Sequence, residues 1–105
     1  MMDIAPDHLG IVAKILNEIV PEAEVFVFGS RAIGPAKAHS DLDLAIREKN
    51  GPVDNGDMQK LKMAFEESDL PYRVDVVDLL SVSDEFRAIV EKQAVPLRTG
   101  VTARI

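Results

Sequence analysis

Two carboxylates one residue apart, Asp41-Leu42-Asp43, follow a Gly29-Ser30 pair after a spacer of about ten residues. The glycine and serine close a strongly apolar run, Val25-Phe26-Val27-Phe28. On a strand, positions i and i+2 share a face, so Asp41 and Asp43 leave the same side. Carboxylates that close repel and raise each other's pKa unless a cation sits between them. Oxygen donors without His or Cys suit a hard ion, with Mg²⁺ the default. Gly29 lets the backbone approach a ligand or take positive φ, and Ser30 offers an N–H and a hydroxyl to phosphate oxygens. A third acid, Asp75, lies in Val74-Asp75-Val76-Val77, a segment apolar enough to be a central strand. An unpaired charge there is costly, and a metal on the neighbouring strand would explain it. Three carboxylates on two strands can hold two metals, the arrangement for in-line phosphoryl transfer.

Each residue alone also has an ordinary explanation. Asp-x-Asp can be the solvated side of a strand with Ser40 capping the turn, and Gly-Ser can be a tight turn. Asp75 can pair with Arg73 or Arg47, and Asp78, facing the other way, is expected to be a cap or surface acid. Arg31 fits a phosphate or acid partner, or a surface residue. Lys37 and His39 lie in the loop facing the presumed site. Their roles stay open, solvation being the simpler account. His8 is expected at the surface. Gly29 and Gly34 have the separation of a Walker loop, but Pro35 stands where its lysine must be. No Ser/His/Asp triad is legible.

These residues need a scaffold. Pro6 suits a first helical position, and Leu9, Val12, Ile15, Leu16 and Ile19 predict an amphipathic helix stopped by Pro21. Val25 to Phe28 lacks alternation and predicts a strand covered on both faces. Arg31-Ala32-Ile33 makes a short helical turn before Gly34-Pro35 breaks it. Asp41 to Arg47 alternates, with Asp41, Asp43 and Ala45 opposite Leu42, Leu44 and Ile46. Glu48 to Gly56 reads as a surface loop. A second helix starts at Asp57, outlined by Met58, Leu61, Met63, Ala64 and Phe65. Tyr72 to Asp78 is a third strand. Ser81 or Ser83 caps a last helix through Phe86, Ile89 and Val90. Val95 to Leu97 adds a short edge strand, and Arg98 to Ile105 is a patternless tail that need not be ordered.

The order α-β-β-α-β-α predicts a small α/β (α+β) layer of helices on a mixed β-sheet. The first two strands should be antiparallel, since the loop between them is too short for a helical crossover.

The 105 residues, 47% of them hydrophobic, make one domain, with a core but no deep private pocket. A net charge of −6 without a basic block argues against direct nucleic-acid binding. No cysteine is present, which excludes disulfides, thiolate zinc sites and cysteine nucleophiles. With neither a signal-peptide pattern nor an apolar run of membrane-spanning length, a soluble cytoplasmic protein is expected.

The combination resembles the minimal nucleotidyltransferases (MNT proteins) of the DNA polymerase β-like superfamily. It reads Gly29-Ser30-Arg31-Ala32, then Ser40-Asp41-Leu42-Asp43-Leu44-Ala45, then Val74-Asp75-Val76-Val77-Asp78-Leu79, and covers nearly the whole chain. The resemblance implies a polymerase β-like nucleotidyltransferase core that moves a nucleoside monophosphate, AMP from ATP or another NTP, to a hydroxyl. It implies Asp41, Asp43 and Asp75 as catalytic ligands of two Mg²⁺ ions, with Gly29, Ser30 and Arg31 on the nucleotide. It further implies a HEPN-domain toxin as partner, this chain acting as its antitoxin by AMPylation, in a hetero-oligomer or homo-oligomer. The alternative is a non-catalytic nucleotide- and metal-binding module that masks its partner. Transfer to an antibiotic or another small hydroxyl compound fits less well without a second domain to bind it.

Overall fold

The computed structural model describes residues 3–99. In chain order the elements are α1 (Pro6–Ile19), β1 (Glu24–Phe28), α2 (Ser30–Ile33), β2 (Leu42–Arg47), α3 (Asn55–Glu66), β3 (Val74–Asp78), α4 (Asp84–Gln93) and β4 (Val95–Thr99). The strands form one mixed sheet in the order β3-β2-β1-β4. β1 pairs antiparallel with β2, as the short loop requires, and also with β4. β2 and β3 run parallel, joined through α3. Among the described residues no helix is long and apolar enough to cross a membrane.

The two faces of the sheet are unequal. Val25, Val27, Leu42, Leu44 and Ile46 are sealed against Val12, Ile15 and Leu16 of α1 and Leu61 and Phe65 of α3. This face is the main core, and its hydrophobic burial supplies most of the driving force for folding. The opposite face carries Phe26, Phe28, Ala45 and Val77 beneath α4, which contributes Val90. Strand alternation places Asp43 and Asp75 on this second, thinner face. β1 is therefore covered on both sides, fully by α1 and α3 and only partly by α4.

Several boundaries differ from the sequence reading, each for a local reason. α3 begins at Asn55 because the Asp54 carboxylate accepts from the N–H groups of Gly56 and Asp57 at 2.9 and 3.3 Å. Asn-Gly, a turn signal in the sequence, is here the first helical turn under that cap. Met63 is 56% exposed and lies outside the core stripe. On α4, capped by Ser83, Val90 alone is buried while Ile89 stays 54% exposed, since the face beneath offers little to cover. β4 extends to Thr99, which brings two residues of the expected tail into the sheet; residues 100–105 lie outside the described residues.

The largest correction concerns β3. It is an edge strand, not a central one, so Asp75 is not a charge forced into the interior. Asp78, in turn, is buried at the end of β3. Its carboxylate accepts from Val53 N–H, Leu80 N–H and the Ser81 hydroxyl at 2.7 to 3.0 Å. It thus ties the approach to α3 to the turn leaving β3, satisfying groups that burial would otherwise penalise.

Candidate active site

The ends of three strands converge at one place. β1 stops at Phe28, opposite Asp43 of β2, and Asp43 in turn lies opposite Asp75 of β3. Gly29 follows with φ +74° and ψ −154°, a conformation that L side chains rarely adopt. A Cβ at Gly29 would run into the Asp43 carboxylate. The glycine is thus required twice, by its backbone and by the acid beside it. Gly29→Ala is expected to lower the unfolding free energy by about 1–3 kcal/mol, read from urea denaturation.

Asp43 is half-buried, and its carboxyl is pushed above the ordinary carboxylate value. Burial is the main cause, followed by the negative charges of Asp75 and Asp41. Asp41 is exposed at the mouth of β2. Asp75 is half-exposed on the edge strand, and its Oδ1 accepts from Arg73 Nε at 3.1 Å. The ion pair weighed for Asp75 in the sequence is therefore real, on a guanidinium that is itself 75% exposed. Such a pair contributes little to stability and is easily exchanged.

Among the described residues no three acidic or imidazole side chains already close around a common point. The donors nonetheless fit a hard cation in kind: all are carboxylate oxygens, two face each other in register, and the like charges around Asp43 call for a positive charge between them.

Arg31 does not join them. It is 5% exposed and turned away into the loop. Its Nε donates to the Ser40 carbonyl at 3.0 Å and its terminal nitrogens to the carbonyls of Asp3, Lys37 and Ala38 at 3.0 to 3.3 Å. The guanidinium carbon stacks 3.9 Å above the Tyr72 ring. Every one of these contacts is within the fold, so the guanidinium expected on the nucleotide is here engaged by backbone carbonyls and the Tyr72 ring. Arg31 instead holds residues 37–40, the strand of loop that delivers Asp41 to the site.

Residues without a sequence signal complete this support. The Asp3 carboxylate accepts from Ala36 N–H at 2.7 Å, so the segment before α1 pins the same loop. Tyr72 carries Arg31, and its hydroxyl meets His8 Nδ1 at 3.2 Å, which places His8 against a ring rather than at a free surface. Burial pushes the Tyr72 hydroxyl up, partly offset by Arg31. Lys37 and His39 are exposed. Gln93, the last residue of α4, accepts the Gly29 N–H with its Oε1 at 3.0 Å. Tertiary placement alone reveals it.

A mixed sheet with a glycine-serine turn at the end of one strand and facing acids on the next two is the organisation of a nucleotidyltransferase. Residues 9–99 match the family model of the nucleotidyltransferase domain, and the chain belongs to that family. Over 91 residues it is 48% identical to a Haemophilus influenzae protein described as a probable protein adenylyltransferase, MntA, covering 87% of this chain and 79% of that one. It also superposes on a crystal structure of a toxin–antitoxin with AMP-PNP, with a TM-score of 0.72 and 27% identity over 90% of this chain and 75% of the other. A tri-AMPylated Shewanella oneidensis HEPN toxin in complex with MNT antitoxin matches with a TM-score of 0.65 and 25% identity, covering 90% and 71%.

Proposed function

We propose that this nucleotidyltransferase moves AMP from ATP to a hydroxyl of a HEPN-type toxin, breaking the bond between the α- and β-phosphates and releasing pyrophosphate, and acts in the cytoplasm as the toxin's antitoxin. The observation that carries the reading is Asp43 set opposite Asp75, with a side-chain-free Gly29 packed on the Asp43 carboxylate. The MntA relative and the AMPylated toxin complex support adenylate as the group transferred and a HEPN protein as the acceptor.

Asp41, Asp43 and Asp75 would hold Mg²⁺, which when bound supplies charge stabilisation to the transferring phosphoryl group. The remaining work falls to the chain itself. Ser30, exposed at the start of α2, offers its hydroxyl to the outer phosphates beside the Gly29 turn. Asp75 takes the proton of the acceptor hydroxyl, a role supported by its half-exposed position on an edge strand. Reaching that state requires Asp75 to leave Arg73, an exchange an exposed pair permits. Positioning and electrostatics supply most of the rate in transfers of this kind.

The test mixes the purified chain with Mg²⁺, labelled ATP and the HEPN partner. Label should pass to the partner, and Asp41→Ala or Asp43→Ala should stop it. Full transfer by either variant would end the catalytic assignment. The engaged Asp75–Arg73 pair also favours a second reading, neutralisation by complex formation alone. In that case a triple Asp→Asn variant still silences the toxin.

A further inference from the structure

Gln93 occupies a place that no sequence motif marks. Val90 fixes α4 in the second core, and the Ala94 N–H closes the helix on the Val90 carbonyl at 2.8 Å. The chain then turns into β4, whose Val95 lies opposite Val27 of β1. Continuing that antiparallel register by two residues sets Gln93 beside Gly29, and the carboxamide bridges the gap to the Gly29 N–H at 3.0 Å across 64 positions of sequence.

That bond fixes which arm of the carboxamide is which. An N–H can be met only by an acceptor, so Oε1 faces Gly29 and Nε2 is the other arm. Nε2 carries two donors, and among the described residues no hydrogen bond of the protein uses them. Gln93 is half-exposed, and no buried side-chain nitrogen or oxygen lacks a partner, so these donors reach solvent. The Gly29 amide, the obvious backbone donor at the turn, is already committed. In exchange the fold offers two N–H groups on a neighbouring atom.

The electrostatics point the same way. Asp41, Asp43 and Asp75 make the surroundings acidic, Arg73 is engaged with Asp75, and Arg31 is spent on backbone carbonyls. An incoming polyphosphate would find no free guanidinium on α2. A neutral donor held rigidly by its own oxygen is the group at hand.

We propose that Gln93 is a polyphosphate-binding residue of the site: Oε1 holds the Gly29–Ser30 turn, and Nε2 donates to the outer phosphate oxygens of a nucleoside triphosphate. The inference rests on the transferase reading of that turn. Gln93→Glu separates its two halves. The glutamate keeps an acceptor for the Gly29 N–H, so the turn stays held, and it replaces the donor arm with a negative oxygen.

Binding of ATP and of AMP to the full chain with Mg²⁺, followed by calorimetric titration, gives an affinity ratio that a global loss of folded chain does not move, and Gln93→Glu, which keeps the turn held, reads the donor arm by itself. Gln93→Glu is expected to stay folded, melting lower because its added charge lies beside the Asp43 carboxylate, to bind ATP at least about 10-fold more weakly, and to bind AMP with far less change. Gln93→Ala, losing both arms, should also lower the ATP-to-AMP ratio about 10-fold, even if its melting temperature falls. In transfer assays the change should appear in KM for ATP with kcat nearly constant. An unaltered ratio in both variants overturns the role of Gln93 while leaving the transferase reading intact. If the unaltered chain binds ATP no better than AMP, the phosphate role of the turn fails and the inference falls with it.

Discussion

Asp43→Asn will cost nucleotide transfer on the order of 10³-fold and will raise the melting temperature of the metal-free chain. Both effects come from one carboxylate. Asparagine preserves the shape that packs against Gly29, so the turn and the strand end stay in place. What is lost is a negative charge, half-buried and set beside Asp75 and Asp41. A carboxyl pushed up in this way holds its proton more tightly in the folded chain than in the unfolded one. Its contribution to stability is fully present below the unfolded value and is lost as pH rises through the folded one. At neutral pH the ionised Asp43 is therefore a burden on the metal-free fold. The advantage of Asn over Asp should be largest near neutrality and fade on acidification into the carboxylate range. Thermal melts across pH, with and without Mg²⁺, check both halves: Mg²⁺ should raise the melting temperature of the unaltered chain and do little for the variant. A variant that melts lower than the unaltered chain at pH 7 would refute the electrostatic account.

Such a charge cluster was legible in the sequence because its cause is local. Asp-x-Asp on an alternating segment must present two acids on one side, whatever the rest of the chain does. Gly29 and its turn were legible for a similar reason, and so was the antiparallel pairing of β1 with β2, which the connecting length dictates. Asp75 was chosen for a reason that proved wrong. Its apolar neighbours suggested a central strand, whereas β3 borders solvent and Val76 faces the core while Asp75 faces out. Local hydrophobicity cannot tell a strand with two neighbours from a strand with one. The partners of Arg31, Asp78 and Gln93 depend on which loop or helix end folds back over them. No periodicity encodes that.

Arg31→Ala should lower the unfolding free energy by about 3 kcal/mol, the second large effect. Removing the guanidinium leaves the carbonyls of Asp3, Lys37, Ala38 and Ser40 without their donors and uncovers the Tyr72 ring. The loss is moderated because a buried charge no longer has to be desolvated. Arg31→Lys should recover little, since an ammonium cannot reproduce a planar fork spread over several carbonyls. Urea denaturation of both variants reads the stability term. Transfer assays below the denaturation midpoint should show a lowered kcat from a misplaced Asp41, with KM for ATP less affected. The opposite pattern, full stability with a raised KM, would restore Arg31 to the nucleotide.

The parallel pairing of β2 with β3 bears on how the protein matures. Asp43 meets Asp75 only when β3, 32 residues along the chain, is docked beside β2 through the α3 connection, the kind of non-local closure that slows folding. A slip of one residue there would bring Val74 or Val76 opposite Asp43 and reverse the faces of β3. A nascent or misregistered chain therefore has its glycine-serine turn and one acidic pair but no third carboxylate. Competence for chemistry is thus a certificate that a strand pairing 32 residues apart in sequence, Asp43 with Asp75, has been made in the correct register.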